Sequence, residues 1–522
     1  MGIYRSLRST WDAFQIGLKG EYSPARVLAL NEYTNSTPWW RVAGIIFFTP
    51  LPSLIYICLP ETVDLSPPEL GIASNKTFFG RFFLSYTMWC LLQMHMISER
   101  MPLLSVSKKQ LVVSAVTVAA FSTGVELLYA WWIGFPVPYT IHMMAVPYLS
   151  LMFFAFAIVW YPHVRDNWSL LWKIADAILI CVCHGLMNGI ESTAFSLVLP
   201  VLKTLYRVMF YYFCRSASGE RITIVVVFNG DLVNALFVSF CMQYQPTWVT
   251  TAILMVANAL QVVLAIRDID SIRKKIADTA VKIMQLRQTG KHSSKLPGAR
   301  VATFMMLPQA ADIFQRYSFD SVKAGVKRAQ RFIISQTSDV GKQLLRSNQI
   351  IPVDNSIVHI GPKTSSIVAA LSELQLLERK NVSLVRKLMY ASAFSILTAF
   401  AEVITPIVYC TSLYLSLVFH MPNRNYYSQI ASMNSTHLAK LVVNVLLYSL
   451  VELASFVVLT LRLKRRLDFS TLHQLAFVLD KYMIHVQTAI ILWVFYTTQI
   501  SLEHYGTDYT FQFAWLHSNS TA

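Results

Sequence analysis

Long apolar runs recur along this chain and restrict it to one class of fold. A helix needs about 20 consecutive apolar residues to cross about 30 Å of hydrocarbon. Nine segments approach or reach that length: residues 42–59, 78–97, 111–131, 139–161, 222–242, 247–266, 388–410, 439–461 and 482–500. Only 14% of the residues are charged, against about 25% in an average soluble domain. The sequence therefore predicts an all-α, polytopic transmembrane helical bundle embedded in a lipid bilayer.

Two local patterns predict where these helices break. Pro50 and Pro52 lie inside the first apolar segment, so we expect that span to be kinked or broken. The sequence "WWIGFPVP" at 131–138 is typical of an interfacial turn, with Trp131 and Trp132 at the level of the lipid head groups.

One apolar stretch, "KIADAILICVCHGLMNGIES" (residues 173–192), carries a polar face. Helical spacing brings its polar side chains to one side; they are Lys173, Asp176, His184, Asn188 and Glu191. A span tolerates such a face only beside protein or water, whereas a helix lying flat on the membrane would expose it. The next stretch, 193–214, contains Lys203 and Arg207, whose long side chains would snorkel to the cytosolic end.

Loop charge predicts the orientation. Lys and Arg residues precede the first span and acidic residues follow it, which favours a cytosolic N-terminus. Residues 267–387 hold 21 Lys and Arg and 9 Asp and Glu, a net of +12 out of +16 for the chain. We expect this block to be cytosolic and to bind anionic lipid head groups. It has no nucleic-acid-binding motif, so nucleic acid is not an expected partner.

The orientation constrains the number of spans. An even number of crossings must precede the basic block, so 174–192 and 193–214 either both cross, giving eleven spans, or both stay out, giving nine. We favour eleven. The predicted parts are a cytosolic segment 1–41, a transmembrane bundle 42–266, a basic cytosolic loop with surface helices 267–387, a second bundle 388–500 and an extracytosolic tail 501–522. The glycosylation sequons at Asn75, Asn434 and Asn519 would then lie outside the cytosol.

Polar side chains recur inside the predicted spans. An ionised carboxylate that faces acyl chains costs at least about 2.5–3.5 kcal/mol at a helix centre, so these groups should face the bundle interior. Asn258 and Gln261 share one helix face, as do Tyr448 and Glu452. The candidate pathway residues are Glu126, Asp176, His184, Asn188, Asp231, Asn234, Glu402, Asn444 and Glu452. The alternative is that they join helices by hydrogen bonds.

These patterns favour a transporter or channel for a small polar solute, ion or proton, with a carboxylate-lined interior. The alternative is a non-catalytic membrane scaffold or sensor whose basic loop binds lipid or a partner. The chain lacks HExxH, Walker A and GxSxG motifs, so we do not predict an enzyme, a cofactor or a metal. We expect the protein in the plasma membrane or an endomembrane. Convergence of the carboxylates on one cavity would favour transport, and isolated pairs would favour a scaffold.

Several longer motifs carry a family resemblance. They are "YSPARVLAL" (22–30), "TPLP" (49–52), "AEVITPIVYC" (401–410), "VFHMPNRNYY" (418–427), "NVLLYSLVELASFVVL" (444–459), "KRRLDFS" (464–470), "QLAFVLD" (474–480) and "SLEHYGTDYTFQFAW" (501–515). In these motifs the chain resembles a lineage-specific family of eukaryotic multipass transmembrane proteins that has no assigned activity. The resemblance implies an integral membrane protein without enzymatic activity, and it assigns no role to any residue.

Overall fold

The computed structural model of this protein is helical almost throughout the part of the chain that it describes. That part comprises residues 16–100, 107–161, 165, 203–212, 222–244, 248–289, 362–418, 422–431, 435–467, 469–508, 511–513 and 515–516. Within those residues, the only strand-like pairing is an isolated bridge between Tyr427 and Leu502. The predicted all-α class is confirmed.

The longer helices are numbered here in chain order. They are α1 (Pro24–Ser36), α2 (Trp39–Phe48), α3 (Leu51–Glu61), α4 (Lys76–Arg100), α5 (Lys108–Ile133), α6 (Ala145–Val159), α7 (203–212), α8 (Ile222–Val226), α9 (Leu232–Tyr244), α10 (Trp248–Thr289), α11 (Pro362–Val418), α12 (Ser435–Leu467), α13 (Thr471–Lys481) and α14 (Met483–Gln499). A π-helical turn, Val227–Asp231, joins α8 to α9.

Five helical segments among the described residues are long and apolar enough to cross a membrane. They are Trp39–Glu61, Lys108–Ile133, Thr140–Val159, Leu376–Ser412 and Val443–Leu467. The pair α13 and α14, bent by 81°, makes a sixth if it is one broken span. All nine predicted segments lie in helices, but five or six membrane-length apolar helices do not support a count of eleven.

Helix α11 forms the centre of the bundle. In its most apolar stretch 83% of the residues are buried, against 22–33% in the other four qualifying segments. Small side chains at Ala391, Ser392, Ala393 and Ala401 are all buried, and small residues let neighbouring helices approach closely. Helices α3, α9, α10, α12 and α13 pack on α11, whereas α4, α5 and α6 pack chiefly on one another.

The predicted helix breaks occur where the sequence places them. Helix α2 ends at Phe48 and α3 begins at Leu51, because Pro50 between them has no N–H for the preceding turn. Helix α5 ends before Gly134, whose φ of 119° suits a residue without a side chain. Trp131 and Trp132, in the last turn of α5, are 78% and 76% exposed, as is typical of interfacial tryptophans.

Contacts at the ends of the helices define two opposite faces of the bundle. On one, Tyr22 N–H donates to the Arg386 carbonyl over 3.3 Å. Arg41 pairs there with Asp480 at 3.2 Å. The segment before α1 thus lies beside the part of α11 that leads out of the basic block. We call this side the N-terminal face.

The opposite side, the C-terminal face, is built on a buried ion pair. Arg81 Nη2 lies 2.5 Å from Glu61 Oε1 and 2.7 Å from Gln499 Oε1. The Tyr427 hydroxyl donates to the same Glu61 oxygen. The side chains of Arg81 and Glu61 are only 2% and 6% exposed. This group therefore joins the ends of α3 and α14, the start of α4 and the loop after α11.

Asn75 contributes to the same face from a short turn before α4. Its Nδ2 donates to the carbonyls of Pro67 and Gly71, each over 3.0 Å, and the residue is completely buried. The Asn75 sequon is therefore inaccessible to a glycan in the folded protein, so it does not support the predicted orientation. Asn434 and Asn519 lie outside the described residues.

His504 closes the C-terminal face beyond the end of α14. Its Nε2 lies 2.8 Å from the Ser66 carbonyl, and its ring stacks on Phe78 at 5.4 Å. The pKa of His504 is lowered from 6.5 to about 4, mainly by burial and also by the nearby Arg81, whereas the hydrogen bond to Ser66 opposes that shift. His504 is therefore neutral in the folded protein at pH 7.

We predict that acid weakens the C-terminal face through His504. The unfolded chain binds a proton below pH 6.5 while the folded chain stays neutral until about pH 4. Stability is therefore complete above pH 6.5 and falls as the pH drops towards 4, by on the order of 2 kcal/mol. His504→Gln keeps a donor for Ser66 but does not titrate. In detergent, the unfolding temperature of the wild type should fall more than that of the variant between pH 7.5 and 4.5; parallel curves would contradict this assignment.

Candidate functional site

Five charged side chains meet in the interior of the bundle, and we call them the interior charge cluster. They are Lys203, Arg207, Asp231, Glu402 and Glu452. Lys203 Nζ contacts a carboxylate oxygen of Glu402 and lies 3.7 Å from Asp231 Oδ1. The side chain of Lys203 is 4% exposed and that of Asp231 is completely buried. One ammonium group therefore lies between two carboxylates from two other elements.

Arg207 and Thr398 bind the second of these carboxylates. Arg207 Nε and Nη2 lie 2.7 and 2.5 Å from Asp231 Oδ1. Thr398 Oγ1 donates to Asp231 Oδ2 over 3.0 Å. Bonds from a guanidinium to a carboxylate are shorter and stronger than neutral hydrogen bonds. Both oxygens of Asp231 are therefore bound, one by α7 and the other by α11.

The π-helical turn Val227–Asp231 makes this approach possible. It inserts one extra residue into a helical turn, so the residues after it are rotated relative to those before it. A side chain at Gly230 would meet Arg207 Cγ at 3.5 Å and the Arg207 backbone nitrogen at 3.8 Å. The backbones of the π turn and α7 are therefore close at the level of Asp231.

Amide side chains of α10 connect the rest of the cluster. Asn258 Nδ2 donates to Glu452 Oε1 over 2.7 Å and lies 3.0 Å from the Tyr448 hydroxyl. One turn later, Gln261 accepts from Lys203 Nζ over 3.1 Å. Glu452 also lies within electrostatic range of Glu402 and Lys203. The shared face of α10 that the spacing predicted thus links α12 to α7.

A cavity of about 440 Å³ adjoins the cluster between α7, α10 and α11. Its polar lining includes Arg207, Gln261, Thr398 and Glu402. Most of the remaining wall is apolar, and it includes Leu18, Ala257, Leu260, Phe394 and Leu459. Pockets for small molecules are about 300–1,000 Å³ and combine an apolar wall with a few polar groups. This cavity has the size and the lining to hold a small polar solute.

Three of the predicted pathway residues converge at this site. Asp231, Glu402 and Glu452 belong to one network of charges and hydrogen bonds. Asn234 and Asn444 are half-buried and take no part in the described bonds of that network. The predicted positions Asp176, His184 and Asn188 lie outside the described residues.

Glu126 lies apart from the interior charge cluster. It is completely buried, and Thr140 Oγ1 donates to its Oε1 over 3.2 Å. It is in electrostatic range of Tyr505, which follows α14 at the C-terminal face. The structure therefore brings Glu126 together with the interior of that face and not with the other carboxylates.

The structure corrects the prediction for Lys203 and Arg207. They do not snorkel: their side chains are 4% and 15% exposed and point to Asp231 and Glu402. Asp231 and Glu402 would each be buried without a counter-charge if the two cations reached the lipid interface, at a cost of several kcal/mol. Pairing inside the bundle is therefore favoured over snorkelling. The available signal was their spacing of four residues, which puts both on one helix face.

Comparison of the chain with family models, with curated proteins and with solved structures finds no match. Within the described residues, no group of three or more His, Cys, Asp and Glu side chains is arranged to hold a metal ion.

We predict that Lys203 and Glu402 stabilise the fold only as a pair. Lys203→Met should lower the free energy of unfolding by about 3–5 kcal/mol, because it leaves Glu402 buried without its main counter-charge. The double variant Lys203→Met/Glu402→Gln should recover most of that loss. Lys108→Met, at an exposed lysine of α5, is the matched control and should be nearly silent. Denaturant unfolding in detergent, followed by tryptophan fluorescence, measures the wild type and the three variants; a double variant no more stable than Lys203→Met would disprove the pairing.

Proposed function

We propose that this protein is a membrane transporter or channel that moves a small polar solute, ion or proton through the interior charge cluster. The observation that carries the proposal is the cavity of about 440 Å³ with Glu402, Arg207, Gln261 and Thr398 in its wall. Ionisable groups inside a membrane bundle typically mark solute and proton pathways. Here Arg207 and Glu402 line one cavity, and the rest of the interior charge cluster lies in contact with them or close by, which favours a pathway over isolated helix-joining pairs.

Charge balance supports a proton or cation as one of the transported species. Among the described residues, the acids Asp231, Glu402 and Glu452 face only two bases, Lys203 and Arg207. A buried carboxylate without a counter-charge is costly, so one acid of the cluster needs a proton or a bound cation. We assign that role to Glu452. It accepts a hydrogen bond from the neutral amide of Asn258, whereas Glu402 and Asp231 each contact a cation.

Lys203 supplies a means of coupling solute binding to charge. It contacts Glu402 and lies within 4 Å of Asp231, which Arg207 also binds. An ammonium with two carboxylate partners can exchange one for the other on a flexible four-carbon side chain. A solute that binds Glu402 from the cavity would release Lys203 towards Asp231, and that change would alter the field at Glu452.

The proposed topology has eleven spans, a cytosolic N-terminus and basic block, and an extracytosolic C-terminus. In its support, the described part of α7 runs from Lys203, beside Glu402, to Tyr212, which receives a bond from Lys19 at the N-terminal face over 3.3 Å. It thus runs from the interior of the bundle to that face, as the second half of a span would. At the two described ends of the basic block, α10 extends as far as Thr289 and α11 starts at Pro362.

Labelling of single cysteines in intact cells tests this topology. In a protein without native cysteines, Ser293→Cys in the basic block should not react with a membrane-impermeant thiol reagent. Thr62→Cys, at an exposed position of the C-terminal face, should react. Reaction at Ser293 without reaction at Thr62 would reverse the proposed orientation, and reaction at both positions would remove it. If neither position reacts, as expected in an endomembrane, selective permeabilisation of the plasma membrane should expose Ser293 and not Thr62.

The alternative function is a membrane scaffold or sensor that binds anionic lipid or an acidic partner. The net charge of +12 in residues 267–387 favours it, because basic segments beside spans gain about 1 kcal/mol per Lys or Arg at an anionic surface. The isolated segment should bind vesicles that contain phosphatidylserine, and salt should release it. Equal binding to neutral vesicles would exclude this electrostatic attachment.

We predict that Glu452→Gln impairs ion movement while leaving the fold intact. Gln keeps an acceptor for Asn258 but binds no exchangeable proton. In proteoliposomes with an internal pH-sensitive dye and an imposed potassium diffusion potential, the wild type should carry protons at least tenfold faster than the variant. Glu126→Gln, an acid outside the interior charge cluster, is the control and should retain the wild-type rate. Wild-type rates equal to those of protein-free liposomes, for protons, sodium, potassium and a panel of amino acids, would favour the scaffold.

A further inference from the structure

The segment that precedes α1 crosses the end of the cavity nearest the N-terminal face. We call residues 16–22, "IGLKGEY", the N-terminal strap. Gly17 and Leu18 line the cavity together with Ala391 and Phe394 of α11. Glu402 lies eleven residues after Ala391 along α11, or about 16 Å at 1.5 Å per residue. The strap is therefore at the shallow end of the cavity and the interior charge cluster at the deep end.

One end of the strap is bound to α11. The Glu21 carboxylate lies 3.3 Å from Arg386 Nη1 and 3.4 Å from Lys387 Nζ, and it accepts from Ser383 Oγ over 2.9 Å. Tyr22 is completely buried, and its carbonyl accepts from Arg386 Nε. Tyr22 is thus the fixed point from which the strap extends.

The middle of the strap reaches the other wall. Lys19 Nζ donates to the Tyr212 hydroxyl over 3.3 Å and lies 5.2 and 5.7 Å from the ring centres of Tyr212 and Tyr211. Those tyrosines belong to α7, the helix that carries Lys203 and Arg207. The strap therefore bridges α11 and α7, which are two of the three walls of the cavity.

Two glycines allow the strap to lie this close. A Cβ at Gly20 would stand 2.2 Å from the Tyr390 ring, and one at Gly17 would stand 3.1 Å from the Phe394 ring. Tyr390 is 2% exposed and packs edge-on against Tyr22, so its ring cannot easily move aside. Any side chain at position 20 would therefore displace the strap.

The contacts of the strap differ in kind from those of the cluster. Lys387 is 41% exposed at its side chain, and Glu21 and Arg386 are each 28% exposed. Partly exposed ion pairs are weak and are screened by salt. The strap is therefore attached by releasable bonds on both walls and by one buried anchor at Tyr22.

We propose that the N-terminal strap is a gate that closes the cavity from the N-terminal face and opens when the contacts of Lys19 and Glu21 are released. As a control on transport it rests on the proposed function, whereas closure itself is a property of the fold that can be measured alone. Opening would leave Tyr22 in place and would uncover the wall at Ala391 and Phe394.

The test uses a reporter thiol inside the cavity of the full-length protein. Ser395→Cys, at a residue that lines the cavity, is placed in a chain without native cysteines. Its rate of reaction with a small water-soluble methanethiosulfonate is then measured. Gly20→Ala should raise that rate at least tenfold. Gly80→Ala, at a glycine of α4 where a Cβ meets nothing within 4 Å, should leave it unchanged. Equal rates in the Gly20→Ala and parent proteins would overturn the gate.

A charge exchange between Glu21 and Lys387 tests the gate independently of Gly20→Ala. Glu21→Lys should accelerate the labelling by repelling Arg386 and Lys387, and the exchange Glu21→Lys/Lys387→Glu should slow it again towards the parent rate. A chain that keeps only Cys90, which is completely buried in α4, reports general loosening and should stay unreactive in every variant. Acceleration at Cys90 as well as at the reporter, or no rescue by the exchange, would also overturn the gate.

Thiol labelling and proton flux distinguish failure of the gate from failure of transport. Unchanged labelling with intact proton flux would remove the gate and leave the transport proposal standing. Faster labelling in a protein that moves no ion or solute would leave a gated cavity and remove transport.

Discussion

The ammonium of Lys203 between the carboxylates of Glu402 and Asp231 is the interaction on which the interior of this bundle depends. Each of these charges would be costly in an apolar environment by itself. The helices that carry them must therefore meet, and each must be rotated about its own axis so that its charge points inward. Apolar packing alone imposes no such rotation in lipid, because the acyl chains are as apolar as the helix surfaces.

The two faces of the bundle use charge in opposite ways. At the C-terminal face, Arg81 and Glu61 are buried with Tyr427 and Gln499. That group joins four segments. At the N-terminal face the ion pairs of Glu21 are partly exposed. The ion pair at the C-terminal face is therefore shielded from solvent, whereas the pairs at the N-terminal face are open to screening by salt.

Local sequence rules predicted the features that depend on neighbouring residues. Helix-length apolar runs, the break at Pro50, the turn at Gly134 and the shared face of Asn258 and Gln261 all follow from spacing or backbone chemistry within a few residues. Pairing across the bundle does not. Lys203 and Glu402 are 199 residues apart, and spacing shows which face of a helix is polar without showing which helix it meets. Asp231 lies in a π turn, where the 3.6-residue period no longer gives the direction of a side chain.

The two buried ion pairs of the bundle differ in charge balance, in the kind of cation and in their surroundings. A joining group needs equal and opposite charges in a tight geometry, and Arg81 with Glu61 meets that description. The cluster around Lys203 has three acids for two bases among the described residues, uses a flexible ammonium where a guanidinium would be more rigid, and borders about 440 Å³ of space. Each of these three departures weakens the cluster as a structural joint. Each is also what a site needs if it is to exchange a proton or cation while a solute enters and leaves.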